Sequence, residues 1–187
     1  MIKRINKYNI WGLFLSFWLM VMYPLSIKAQ NQYPTPPDKY GRLFYIQRSG
    51  NINTIVYDAN FTGVKTFNSE RPINAYWIRY ADKGETRPLN YIQRTFAYGV
   101  NVKKSNKPNE FIFNLVSYSK KKLTLSIDSY GNPFAIMEVN GKELKLHHVF
   151  VKIEPGSMFT MAPKVNYVEI FGKDLKTGAA IYEKIIP

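Results

Sequence analysis

From Tyr40 to the end of the chain, apolar residues fall in short alternating runs rich in Val, Ile, Tyr, Phe and Thr, separated by clusters of Gly, Asn, Pro and Lys. Alternation with a period of two puts successive side chains on opposite faces of an extended chain, so the pattern predicts strands. They are predicted near 42–48, 53–58, 73–80, 110–118, 122–128, 133–139, 143–154, 164–171 and 179–186. Many short strands at such spacing predict a mainly β fold, a single antiparallel β-sandwich or small barrel of about nine strands. One segment departs from the rhythm. Pro88 suits a first helical turn, Leu89, Ile92 and Phe96 recur at helical spacing, and Gly99 is able to end a helix in the left-handed conformation. A short helix is therefore predicted near 88–98. Close to the end, residues 165–171 and 179–185 flank the polar, glycine-bounded stretch GKDLKTG, which predicts a hairpin connection.

The alternation slips once. In ELKLHHVFVKIE (143–154) apolar residues stand at even numbers before the two histidines (Leu144, Leu146) and at odd numbers after them (Val149, Val151, Ile153). A β-bulge at His147 and His148 accounts for the slip. A metal site there needs both rings on one side and at least one further ligand, whereas neighbours on a regular strand face opposite ways. The expectation is no metal and no cofactor.

The first residues follow a different pattern. Lys3, Arg4 and Lys7 precede an uncharged apolar run from Ile10 to Ile27, which ends in Ser-Ile-Lys-Ala before Gln30. That is the layout of a secretory signal peptide over 1–29, with the small Ala29 at the cleavage point. An uncleaved anchor is the competing reading, because the apolar run has the length of a bilayer span; Pro24 and the polar residues after it favour cleavage. Either way the body of the protein is expected outside the cytoplasm, periplasmic or extracellular. It is not expected to be a lipoprotein, since that attachment needs a cysteine and the chain has none. Residues 30–40, with three prolines and no apolar periodicity, read as an extended linker, leaving 41–187 as one β domain.

Loss of the leader's four basic residues takes the formal net charge from +13 to +9, so the remainder is still clearly basic. With no cysteine, burial and hydrogen bonds must hold the domain; thiol catalysis, cysteine zinc sites and iron–sulfur clusters are excluded. No GxSxG, phosphate-binding GxxxxGK[ST], HExxH or calcium-loop pattern occurs. The few carboxylates scatter; Asp82 and Glu85, in ADKGET, are the nearest pair and read as a solvated loop.

Two longer stretches, LFYIQRSGNINTIVYDAN at 43–60 and INAYWIRYADKGETRPLNYIQRTFAYGV at 73–100, resemble a family of exported bacterial proteins catalogued as a domain of unknown function, number 4833. The resemblance implies a shared fold and an envelope setting, and supplies neither a reaction nor a catalytic residue.

Within those stretches YIQR occurs at 45–48 and again at 91–94, one copy in a predicted strand and one in the predicted helix, which speaks against duplication. Each copy ends in an arginine. Arg48 and Arg94, together with Arg79 and Tyr98, are candidates for one anion-binding pocket, because the guanidinium fork suits carboxylate or phosphate. Pairing with Asp58, Asp82 or Glu85 to fix loops is the structural alternative. Trp77 is a candidate stacking surface for a sugar ring, or a core residue of an alternating strand. Lysines cluster at 103, 104 and 107 in an expected loop and at 120–122 at an expected hairpin turn; such clusters either protect sheet edges or meet an anionic partner. The partners expected outside the cytoplasm are an anionic envelope component, a glycan or an acidic protein; nucleic acid is not expected, nor is a membrane span after cleavage. Three functional classes follow: a non-catalytic binding module for an anionic or glycan partner, a small carrier of an apolar ligand, and an enzyme without a recognisable motif.

Overall fold

The computed structural model describes residues 33–154 and 164–187. The expected leader at 1–29 and residues 30–32 of the expected linker lie outside the described residues. The chain is mainly β. Its strands are β1 (Arg42–Arg48), β2 (Thr54–Ala59), β3 (Phe61–Gly63), β4 (Thr66–Phe67), β5 (Ile73–Arg79), β6 (Glu85–Pro88), β7 (Val100–Lys104), β8 (Phe111–Leu115), β9 (Tyr118–Ile127), β10 (Pro133–Val139), β11 (Lys142–Glu154), β12 (Lys164–Asp174) and β13 (Ala180–Ile185).

Eleven of these strands form one sheet, and β3 and β4 pair as a small second one. The long strand β11 is the junction. Its first residues pair with β10, from Val139 opposite Lys142 to Ile136 opposite Lys145. Further along, Tyr45 to Arg48 of β1 lie opposite His148 to Val151. The other edge of β11 is taken by β12, which in turn carries β13. Two wings leave the junction, β1-β2-β5-β6 and β10-β9-β8-β7. Their inner faces meet: Phe44 of β1 stacks on Tyr57 of β2 at 4.5 Å and lies 6.3 Å from Phe113 of β8. Phe44, Tyr57, Phe113, Leu123, Leu125 and Leu144 are fully buried in this layer, where large apolar area removed from water supplies most of the folding drive.

Each of the nine predicted strands has a counterpart, but the count and direction need correcting. Four strands were not predicted: β3 and β4 are too short to show a period, the residues of β6 are all exposed, and β7 reads VNVKK, whose lysines suggest a loop. The sheet is also not wholly antiparallel, because β1 and β11 pair in parallel. A hairpin joins only antiparallel neighbours, and here the two strands are brought together from distant parts of the chain.

The helix is shorter than 88–98. Pro88 closes β6, and Asn90 caps a single α turn, α1 (Tyr91–Gln93), which runs on as a π turn (Arg94–Tyr98). The cap is reciprocal: Gln93 N–H donates to Asn90 Oδ1 at 2.9 Å and Asn90 N–H to Gln93 Oε1 at 3.0 Å. Leu89 is buried just ahead of the turn, whereas Ile92 and Phe96 point into solvent. Gly99 is extended (φ −68°, ψ 171°), not left-handed; a Cβ at this position would run into the Arg94 carbonyl. Close approach, not a special dihedral, selects glycine here.

Residues 33–40 lie against the sheet. Gln47 Nε2 donates to the Pro34 carbonyl at 2.8 Å, Tyr80 Oη to the Thr35 carbonyl at 3.2 Å, and Pro36 is buried. Among the described residues no helix is long and apolar enough to cross a membrane.

Candidate functional site

Alternation along β1 gives the strand two chemically different faces. Phe44 and Ile46 enter the layer between the wings, while Tyr45 turns outward and packs with Val56 and Ile78 in a separate small cluster. On that outer side Asp58 of β2 gathers three polar side chains, from β1, β5 and the segment before β1. Asp58 accepts from Arg42 Nε at 2.6 Å, from Lys39 Nζ at 3.1 Å and from Tyr76 Oη at 2.7 Å. Arg42 stands directly across from Asp58 in the β1–β2 register, which is why the pair forms. The Asp58 side chain is only 6% exposed, and its single negative charge serves two cations. Burial, then the hydrogen bond to Asp58, pushes the Tyr76 phenol up to about 12.

Two depressions adjoin this knot and share Asp38, Lys39 and Arg42. The first, about 580 Å³, adds Arg71, Arg94 and Tyr76 to its wall. The second, about 900 Å³, has an aromatic floor of Tyr45, His148 and Phe171, with Lys145, Lys173 and Tyr182 around it. None of Arg71, Arg94, Lys145 and Lys173 pairs with a carboxylate among the described residues. The surface is thus rich in unneutralised cations beside flat rings, a combination suited to anions and to sugar faces.

The histidine pair forms part of that floor. Leu146 faces Gly172 and His148 faces Phe171, so His147 is the extra residue of a bulge, as the slip in alternation predicts. The bulge also does what a regular strand forbids, bringing both rings to the same side with their Nδ1 atoms 3.2 Å apart. His148 is clamped between Phe171 (4.1 Å, 7°) and Tyr45 (5.0 Å, 5°). Burial, and secondarily the neighbouring His147, pulls the His148 imidazole down to about 4. At neutral pH it is an uncharged ring in a stack, with an acceptor or donor nitrogen facing its neighbour. No group of three or more His, Asp or Glu side chains is placed to hold a metal ion among the described residues.

The residues singled out from the sequence do not form one pocket. Arg48, Trp77 and Tyr98 come together on the inner face of the first wing, with the Arg48 guanidinium 5.9 Å from each ring centroid. Trp77 is 6% exposed and belongs to the main core. Arg79 pairs with Asp82 at 2.7 Å on the surface. Arg94 donates through Nη2 to the Leu89 carbonyl at 3.1 Å and lines the first outer depression. Of the lysines, Lys107 lies in the loop before β8 as expected, but the others are placed differently. Lys103 and Lys104 lie on β7, the last strand of its wing, and Lys120, Lys121 and Lys122 lie within β9; the turn that precedes β9 is Val116–Ser117. Arg42, Lys39, Tyr45 and Phe171 escaped the sequence reading, because contacts between strands distant in sequence, β1–β2, β1–β11 and β11–β12 among them, assemble the site.

No curated protein and no solved structure matches this chain. One family model does match, over residues 44–184, and its description is Domain of unknown function (DUF4833). That stretch takes in β1 to β13 almost completely, including both faces of β1 and the histidine bulge, so the chain belongs to the DUF4833 family.

Proposed function

We propose that this chain is an exported, non-catalytic envelope module that binds an acidic glycan in the two adjoining depressions on the outer side of β1. The observation that carries the reading is the meeting of unneutralised cations with stacked rings: Arg71, Arg94, Lys145 and Lys173 beside the Tyr45–His148–Phe171 stack and the Tyr76 phenol. Cations select the acid groups and rings give a flat face for the sugar. The exported setting rests on the leader-like pattern of residues 1–29. Fully buried Phe44, Tyr57, Phe113 and Leu125 fill the space between the wings, which supports a surface site over an interior ligand chamber and a sandwich-like closure over a hollow barrel.

The test is affinity electrophoresis of the full chain in gels containing polygalacturonate, with dextran as the uncharged control. Retardation by polygalacturonate alone, lost when Lys145 and Lys173 are both changed to Glu, is expected. Equal mobility in the two gels overturns the reading.

A further inference from the structure

We propose that the inner end of β1 carries a second site, for a single carboxylate group, formed by Arg48, Trp77 and Tyr98. It lies on the opposite face of the strand from the outer depressions and stands independently of the glycan reading. Its residues are held from three directions. Arg48 ends β1, Trp77 sits in the middle of β5, and Tyr98 closes the π turn, where its carbonyl accepts the Tyr57 hydroxyl at 2.9 Å. Trp77 and Tyr98 meet edge to face at 5.2 Å and 81°, and the Arg48 guanidinium lies over both rings.

Two buried donors at this point lack partners among the described residues: Arg48 Nε and Trp77 Nε1. Buried N–H groups are nearly always paired, so two orphans on adjoining side chains mark a place where an acceptor is favoured. The cation–π contacts do not fill that need. They use the flat face of the guanidinium, whereas its hydrogen bonds leave through the edge, and the two kinds of contact are compatible on one arginine. Arg48 has no carboxylate partner among the described residues, so the local charge is one uncompensated positive. A monoanion cancels it, whereas a phosphate dianion leaves one negative charge against a mostly apolar wall. A carboxylate also offers two coplanar oxygens to the guanidinium edge and the indole N–H. Arg48 as a whole residue is partly exposed at the end of β1, while its Nε and the neighbouring Trp77 Nε1 are both sealed from bulk water.

Two sources supply such a group, an acidic sugar and the carboxyl end of a peptide. The full chain carries three tryptophans, and the Trp77 indole N–H signal in a ¹H–¹⁵N spectrum is identified by its loss in Trp77→Phe. Glucuronate, N-acetylglycine and inorganic phosphate are titrated separately at constant ionic strength. A saturable shift of the Trp77 signal with glucuronate alone assigns an acidic sugar, with N-acetylglycine alone a peptide terminus, and with both a general carboxylate site. Arg48→Lys, which keeps the charge but loses the fork, is expected to weaken binding by about tenfold or more, and Arg48→Met to abolish it. An unmoved Trp77 signal, a phosphate response equal to that of the carboxylates, or an unchanged response in a well-dispersed Arg48→Lys spectrum overturns the proposal. Lys145→Glu with Lys173→Glu leaves this response intact, so failure of the outer-face reading and failure of this one are told apart.

Discussion

Arg42 Nε lies 2.6 Å from Asp58 Oδ1 across the β1–β2 pair, and that contact ties the fold to the candidate site. The Asp58 side chain is almost sealed and that of Arg42 is 15% exposed, so neither charge is well served by water. Removing one member leaves the other partly desolvated and unpaired. Asp58→Asn is expected to lower stability by about 2 kcal/mol, since it keeps the shape but loses the charge-assisted bonds. Urea unfolding is the check: the midpoint falls with an unchanged slope. A midpoint equal to wild type would show that Lys39 and Arg42 are satisfied by solvent and that Asp58 does not anchor the site.

Buried phenols, one of them hydrogen-bonded to the same carboxylate, set an alkaline limit. The Tyr76 phenol is pushed up to about 12, and burial raises Tyr57 as well. A raised phenol pKa means that the folded state holds its proton more tightly than the unfolded chain, whose tyrosines ionise near 10. The resulting stability is complete below pH 10 and is lost as pH rises from there through 12. Tyr76→Phe removes the Tyr76 contribution to that slope. Denaturant midpoints at pH 8, 10 and 11 decide it: they are expected to converge between variant and wild type as pH rises, and a constant gap refutes the assignment.

The strands that bury a face were legible, and those that do not were not. Phe111, Phe113 and Leu115 of β8 announce themselves by alternation, with the first, third and fifth positions buried. By contrast β6 has four exposed residues and joins the sheet through backbone pairing with β5 alone, which leaves no mark on hydropathy. The histidine bulge was readable because a bulge must break the period of the residues around it. Nothing local foretells that Tyr45 will stack on His148, since that contact depends on a parallel pairing between strands about a hundred residues apart. The arginines of the two YIQR copies illustrate the same limit. One ends a strand and faces the core layer, the other starts a π turn and faces outward, so equal letters gave unequal surroundings.

Gly172 is expected to tolerate no side chain. An added Cβ would sit 2.5 Å from the Lys145 carbonyl oxygen and 2.6 Å from Leu144 Cδ1, where β12 crosses β11 beside the bulge. Its backbone is not in the left-handed region, so crowding is the reason. Gly172→Ala is predicted to cost about 1–3 kcal/mol through overpacking, visible as a lowered melting temperature. A variant as stable as wild type would mean that the two strands separate freely at the bulge.

His148 offers the sharpest electrostatic test, because its surroundings all favour the uncharged ring. Phe171 and Tyr45 enclose the ring and favour its neutral form, and His147 adds repulsion if both are charged. The imidazole is accordingly held down at about 4 against an ordinary value near 6.5. An unfolded chain therefore takes up a proton between those values while the folded one does not. Stability contributed by the neutral ring is full above pH 6.5 and is lost as pH falls through 4, at a slope of at most about 1.4 kcal/mol per unit. His148→Phe keeps the stack without the titration, and should flatten the acid limb of the stability profile between pH 4 and 6.5. His147→Ala should move the His148 titration upward only slightly, since burial outweighs the neighbour. Both are read from side-chain NMR titrations and urea midpoints. A His148 that titrates near 6.5 in the wild type would mean that water reaches the ring and that the aromatic floor of the second depression is open.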